Sequence, residues 1–318
     1  MLEGKSLAAG YQRPATSHLP SLMFKSHVEA LRRYARFSEL YRQRDRACQR
    51  GITPLHPDPA SWPSDRITLA WLGHSTVLLN VFGTWVITDP VLGRRVGLSI
   101  GPVQVGVRRL TPPALKVKEL PPIDVVLLSH AHFDHLDLPT LRRLPRSAVV
   151  VTAANLGDLV TRFRDVRELG WGETTRVGEI EIEATPAKHW GARMLHDHHR
   201  GWGGYLMTVR GKRIFFAGDT AQTDALRPLA EGGPVDVALM PIGAYDPWIV
   251  NHCSPEEAWH MAAELGARAV VPIHHATFRL SREPMLEPLT RLRAAAGPEV
   301  DRVVGSALGE SWTIPDRR

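Results

Sequence analysis

Ser129-His130-Ala131-His132-Phe133-Asp134-His135-Leu136-Asp137 is the stretch that decides how this 318-residue chain is read. It follows Ile123-Asp124-Val125-Val126-Leu127-Leu128, an apolar run with the length of a buried strand. Three imidazoles and a carboxylate, at His130, His132, Asp134 and His135, therefore arrive together at a strand end. Packing does not account for four such side chains, whereas borderline divalent metals such as zinc prefer these ligands. The stretch reads as the floor of a dinuclear metal site that activates water.

Outward from it the pattern alternates strands with short helices. Strands are expected over 67–72 and 76–81, flanking Gly73-His74-Ser75, and over 85–88, ending at Asp89-Pro90. Residues 93–122 are rich in Gly and Pro and read as a long loop. Short helices are expected over 138–144 and 156–164, with a strand between them at 148–152. Residues 179–184 alternate as a half-exposed strand, and 205–209, 213–217, 235–240 and 269–273 complete the strands. A helix over 255–265 has Ser254 as its N-cap and Glu257 closing a capping box, and a last helix covers 286–296. Sheets with helices outside them indicate a layered α/β domain from residue 66 to 318. Residues 1–65 read as a helical extension packed on it, with a basic amphipathic helix over 26–46 and a Pro- and Asp-rich linker over 51–65.

Composition bounds the setting. Hydrophobic residues make up 43% of the chain, and no apolar run reaches the length of a membrane span. Two cysteines make no disulfide framework, and the N-terminus lacks the pattern of a signal peptide, so a cytoplasmic location is expected. The net charge of +6 suits a soluble surface and also attracts phosphates or lipid headgroups. The basic helix over 26–46 offers peripheral membrane contact, against the simpler reading that its apolar face docks on the domain. A stable nucleic-acid partner is not expected, because aromatic and basic residues do not interleave. Oligomeric state is not legible.

Further candidates sit at other strand ends: His189 in Thr185-Pro186-Ala187-Lys188-His189-Trp190, Asp219 in Gly218-Asp219-Thr220, and the pair His274-His275 after Val270-Val271-Pro272-Ile273. Any one of these alone is more often structural. Together with the first cluster they are what a sheet-based metal site would use.

This set resembles the metallo-β-lactamase superfamily, from about Arg66 to Trp312. Within it the chain is similar to bacterial relatives of the N-acyl-phosphatidylethanolamine-hydrolysing phospholipase D, through Trp71-Leu72-Gly73-His74-Ser75, Pro241-Ile242-Gly243-Ala244-Tyr245, Ser254-Pro255-Glu256-Glu257-Ala258 and Ile273-His274-His275-Ala276-Thr277-Phe278. The resemblance implies an αβ/βα sandwich, two mixed sheets face to face with helices outside. It implies that His130, His132 and His189 bind one divalent metal, that Asp134, His135 and His274 bind a second, and that Asp219 bridges them. Zinc is the usual occupant, with iron or manganese in relatives. His74 and Asp89 would orient ligands. His252, in Asn251-His252-Cys253, would act as an acid or oxyanion donor beside Asp134, with helix capping as its plain alternative. Tyr245 and His275 would face substrate, although His275-Ala276 stands where the phospholipase carries Trp-Gly. The implied activity is a phosphodiesterase in which a hydroxide between two metals attacks a small-molecule or lipid diester. A lactonase or carboxylic ester hydrolase is the first alternative, because the same nucleophile attacks a carbonyl. A nuclease or nucleic-acid-binding protein is the second.

Overall fold

The structure, a computed structural model, describes residues 52–100, 103–194 and 196–316. The chain divides into units 1–47 and 48–318; the first, with the helix expected over 26–46, lies outside the described residues.

Two sheets build the larger unit. The first has seven strands in the order β15-β1-β2-β3-β6-β7-β8. It comprises β1 (Ile67–Gly73), β2 (Thr76–Val81), β3 (Thr84–Thr88), β6 (Val125–Leu128), β7 (Val149–Ala153), β8 (Asp165–Leu169) and β15 (Ser311–Thr313). β1 is antiparallel to β15 and β2, and β2 to β3, whereas β3, β6, β7 and β8 run parallel. The second sheet has six strands in the order β14-β13-β12-β11-β10-β9. These are β9 (Thr174–Val177), β10 (Ile180–Thr185), β11 (Gly204–Val209), β12 (Lys212–Phe216), β13 (Val237–Pro241) and β14 (Val270–Ile273). β12, β13 and β14 are parallel and the others antiparallel.

The period-2 alternation of strands decides which layer each side chain joins. Ile214 and Phe216 of β12, with Val237 and Leu239 of β13, share a core with Leu69 and Trp71 of β1 and Val125 and Leu127 of β6. Their neighbours Phe215, Ala238 and Met240 point the other way, into a second core with Ala258, Met261 and Leu292. Those last three come from α2 (Pro255–Glu264) and α3 (Glu287–Ala296). A sheet buried on both faces reads as a continuous apolar run, as β13 does. The architecture is the αβ/βα sandwich expected from the resemblance.

Residues 52–65 lie on this body: Leu55 N–H donates to the Leu308 carbonyl at 2.8 Å, and Trp62 meets Trp85 with ring centroids 5.6 Å apart.

Three sequence expectations change. The loop over 93–122 contains a hairpin, β4 (Arg95–Ile100) with β5 (Val103–Arg108). Its glycines, which read as loop markers, are what permits the pairing. Gly97 and Gly106 lie opposite each other at φ +141° and +151°, and a Cβ on either would collide with the carbonyl oxygen of Val105 or Val96. The helix expected over 156–164 is reduced to a 3₁₀ turn, Gly157–Leu159, and the chain then enters β8. Helix propensities differ by only a few tenths of a kcal/mol per residue. Burying Leu156, Val160 and Phe163 in the core is worth about 1.5–3 kcal/mol each, so tertiary packing wins. The helix expected over 138–144 closes early as α1 (Leu138–Leu141), capped by Asp137, whose side chain accepts from Thr140 N–H.

The capping box on α2 is present. Ser254 Oγ accepts from Glu257 N–H, and Ser254 N–H donates to Glu257 Oε2 at 2.8 Å. Replacing Ser254 by Ala is expected to lower unfolding free energy by about 1 kcal/mol in chemical denaturation, because it orphans a helix-terminal donor. No change in midpoint would show that the cap is dispensable.

Candidate metal centre

Strand ends from both sheets deliver the chemistry to one edge. β1 leads to His74, β3 to Asp89, β6 to the 129–137 loop, β10 to His189, β12 to Asp219 and β14 to His274. Open sheets use their carboxyl ends for sites in this way. The backbone there is strained: His74, Asp89 and His274 adopt φ of 55°, 31° and 59°. Such conformations cost about 1–3 kcal/mol each in non-glycine residues and persist where the surroundings enforce them. His274 N–H donates to the His74 carbonyl at 2.9 Å, and Asp89 N–H to the Leu127 carbonyl at 2.9 Å. Gly218 precedes Asp219 at φ +62°, where a Cβ would lie 2.6 Å from the Gly203 carbonyl oxygen and 2.8 Å from Ser129 Cβ. Only glycine fits there.

Among the described residues four overlapping groups of ligand atoms result, each within 4.8 Å: His130, His132 and His189 form a first, His74, Asp134, His135 and His274 a second, and Asp89, His130 and His135, and His189, Asp219 and His252, overlap them. In the first, His130 Nε2 is 2.9 Å and His189 Nε2 3.3 Å from His132 Nδ1. Asp219 Oδ2 reaches the first two groups. It lies 3.0 Å from His135 Nε2 and 3.1 Å from His274 Nε2, and 3.9 Å from the Nε2 atoms of both His130 and His189.

A second ring of partners fixes which nitrogen faces inward. Asp89 Oδ2 holds His135 Nδ1 at 2.6 Å and accepts from Ser129 Oγ at 2.5 Å, while Asp89 Oδ1 accepts from Ser129 N–H at 2.8 Å. Ser129 Oγ is 2.8 Å from His130 Nδ1. The Asn251 carbonyl is 2.9 Å from His189 Nδ1, and His74 Nε2 is 2.9 Å from Asp134 Oδ2. His74 and Asp89 thus each contact a candidate ligand, Asp134 and His135 respectively, and His74 is itself counted in the second ligand group.

The electrostatics suit a cation. Burial acts to raise the pKa values of Asp219 and Asp134, yet neighbouring imidazoles, His135 foremost, hold both well below the carboxylate range. Burial lowers His132 to about 3 and His189 to about 4. Burial also acts to lower His274, but Asp219 and Asp134 outweigh it and raise that ring to about 9. His135 Nε2, His274 Nε2 and Asp219 Oδ1 are buried without a hydrogen-bond partner. Orphaned buried polar atoms cost about 1–3 kcal/mol each. Divalent cations would satisfy all three, so the residues fit metal binding.

His252 is brought to the same place. Its Nδ1 is 3.8 Å from Asp219 Oδ2 and has no hydrogen-bond partner, and burial lowers its pKa well below the usual value. Capping of α2 falls to Ser254 instead.

The two expected substrate residues are placed otherwise. Tyr245 OH donates to Glu287 Oε1 at 2.8 Å, and Arg291 covers its ring at 4.7 Å, so its polar end is committed to α3. His275 is buried and stacks on Trp71 with centroids 4.4 Å apart. The cavity it lines holds about 10 Å³, room for one water at most. The charge-neutral pairing of His275 with an indole is packing.

Sequence reading missed Ser129, the Asn251 carbonyl and Arg193. Ser129 stood at the head of the decisive stretch, and a hydroxyl next to a ligand histidine was the available signal. Arg193 gave none: its Nη1 donates to the carbonyls of Ala131 and Leu136, both at 2.8 Å, and its guanidinium lies 4.0 Å over the Phe133 ring. It clamps the ligand loop from 57 or more residues away in sequence.

Comparison with known proteins agrees with this fold. The profile of the Beta-lactamase superfamily domain matches residues 84–275. An uncharacterized protein of Mycobacterium tuberculosis is 35% identical over 263 residues, covering 77% of this chain and 70% of its own. The N-acyl-phosphatidylethanolamine-hydrolyzing phospholipase D 1 of Caenorhabditis elegans is 34% identical over 272 residues, covering 78% of this chain and 76% of its own. Among solved structures, the metallo hydrolase Igni18 of Ignicoccus hospitalis superposes with a TM-score of 0.59 at 21% identity, over 79% of this chain and 99% of that one, a likeness of fold. With its sandwich, its clustered histidines and carboxylates and these matches, the chain belongs to the metallo-β-lactamase superfamily and is a metal-dependent hydrolase.

Proposed function

We propose that the protein is a phosphodiesterase working with two divalent cations, zinc first, with iron or manganese as substitutes. One observation carries the reading: a single oxygen, Asp219 Oδ2, lies within 3.9 Å of imidazole nitrogens from both ligand groups. A carboxylate so placed favours a pair of cations about 3.5–4 Å apart, the separation that suits in-line displacement at phosphorus. The likeness to a phospholipase D supports the same class of bond.

His130, His132 and His189 would hold one cation, Asp134, His135 and His274 the other, with Asp219 between them. When bound, such ions lower the pKa of water and withdraw charge from phosphoryl oxygens. The chain's own residues do the rest. Asp134 is the carboxylate of the centre with appreciable exposure, its side chain 16% accessible against 2% for Asp219. It is placed to accept the proton of an attacking water, steadied by His74 on Oδ2. His252, kept neutral by burial, offers an N–H to the leaving oxygen. The orienting bonds at Asp89, Ser129 and Asn251 keep the imidazoles aimed before substrate arrives.

Three outcomes are expected. Asp219→Asn should lower kcat/KM on bis(4-nitrophenyl) phosphate by at least about a hundredfold and reduce bound metal in elemental analysis, with an unchanged circular dichroism spectrum. Wild-type-like turnover in that variant, or faster hydrolysis of simple lactones than of diesters by the native protein, would overturn the reading. Asp89→Asn should weaken metal binding about 10–100-fold in a chelator competition, because the amide cannot accept from His135 in the same way. Metal uptake should release protons. With His274 raised to about 9, and His135 also held well above its ordinary value by neighbouring carboxylates despite burial, these protons must leave before a cation binds, so affinity should climb by about tenfold or more per pH unit between pH 7 and 9. A flat profile across that window would refute the linkage.

A further inference from the structure

Glu283, in the loop between β14 and α3, has no part in the mechanism above, yet it is only 7% exposed. Burying a carboxylate is costly unless hydrogen bonds replace water. Glu283 Oε1 accepts from Ala244 N–H at 2.6 Å and from Ser281 Oγ at 2.5 Å, and Oε2 accepts from Asp246 N–H at 3.2 Å. The Asp246 carbonyl accepts in turn from Arg282 N–H at 2.8 Å. Ala244 adopts a φ of 65°, a left-handed conformation that a residue with a Cβ keeps only where its surroundings enforce it. The short bond from its N–H to a carboxylate is such an enforcement.

The segment so held, residues 242–253, leads from β13 to α2 and borders the metal centre. Its ends are tied beside two candidate ligands. Ile242 N–H donates to the Ile273 carbonyl at 3.0 Å, next to His274, and Cys253 N–H to the Thr220 carbonyl at 2.8 Å, next to Asp219. Gly243 passes so near His274 that a Cβ would lie 2.2 Å from its carbonyl oxygen. Farther along, the Trp248 carbonyl accepts from Asn251 N–H at 2.8 Å and His252 N–H at 3.0 Å, and Trp248 Nε1 donates to the Leu280 carbonyl at 3.2 Å. The Asn251 carbonyl then meets His189 Nδ1 at 2.9 Å. His252 Nδ1 stands 3.8 Å from Asp219 Oδ2 with no hydrogen-bond partner, so the backbone that carries the ring decides where it points.

We infer that Glu283 is a positioning residue for the leaving-group side of the centre. By fixing Ala244 and Asp246 it sets the course of the chain through Trp248, and so places His252 against Asp219 and the Asn251 carbonyl against His189. Displacing a ring by about 1 Å from outside the site is enough to cost a large share of turnover. The inference rests on the phosphodiesterase reading for what His252 does, a hydrogen bond to the leaving oxygen, while the placement of the two rings is measured without turnover.

The test is Glu283→Gln in the full chain, where the amide keeps one acceptor oxygen and turns an NH2 towards a backbone N–H. With zinc loaded, kcat on diphenyl phosphate, whose leaving oxygen is basic, should fall at least about tenfold. On bis(4-nitrophenyl) phosphate, whose leaving oxygen needs little help, it should fall less than about threefold, with KM steady on both. Adding Glu283→Gln to His252→Ala should cost less than about threefold beyond His252→Ala alone, because the ring to be placed is gone. In long-range proton–nitrogen spectra of histidine-labelled, metal-free protein, the His189 and His252 ring signals should shift in Glu283→Gln. Those of His130 and His135, held by Ser129 and Asp89, should stay. Should Glu283→Gln not fold, Ser281→Ala, which removes one tether from Oε1, should give the same pattern at smaller size. Equal losses on the two diesters, additive losses in the cycle, or unchanged His189 and His252 signals overturn the inference. If the native protein hydrolyses no diester, the phosphodiesterase reading fails, and the ring signals alone decide whether Glu283 places His189 and His252.

Discussion

The Asp219 carboxylate holds the centre together. It is almost fully buried, and its Oδ2 lies within 4 Å of nitrogens on His130, His135, His189, His252 and His274. An isolated carboxylate in such a place would be strongly destabilising. Here the surrounding imidazoles, His135 foremost, keep it ionised, with His135 Nε2 and His274 Nε2 at 3.0 and 3.1 Å from its Oδ2. Each element of the site is positioned to face this one negative charge. The centre is therefore an electrostatic arrangement suited to a cation.

Holding that arrangement requires rigidity in the layer behind it. The orienting bonds from Asp89, Ser129, His74 and Asn251 begin on backbone that packs into the sandwich core. Three of the residues concerned, His74, Asp89 and His274, sit in left-handed backbone conformations. The burial of Leu69, Trp71, Val125, Leu127, Val271 and Ile273 just upstream supplies the free energy that enforces them. Fold stability and site geometry are thus linked through short segments at strand ends. Arg193 extends the linkage by tying the ligand loop to the segment after His189.

Much of this was legible in the chain because metal chemistry restricts residue types. Histidines and aspartates just after apolar runs are an improbable pattern for packing, and the structure brings His130, His132, Asp134, His135, His189, Asp219 and His274 together. The β13 and β14 runs and the α2 capping box were equally readable, since burial and capping each leave local signals. The β4–β5 hairpin was not, because paired glycines look the same in a turn and in a close strand crossing. Nor was the fate of 156–164, where three apolar residues at helical spacing serve the core from a 3₁₀ turn and irregular chain.

The sequence by itself determined the layered α/β class, the candidate histidines and aspartates at strand ends and the Ser254 cap, because each rests on local periodicity or on chemistry that few residue types supply. Only the tertiary structure decided that Asp219 faces both histidine groups, that Tyr245 and His275 are committed to Glu287 and Trp71, and that Leu98 and Val105 stand exposed on a hairpin. Those outcomes depend on which strands pair and which faces they bury. Pairing joins residues far apart along the chain, so no local pattern encodes the result.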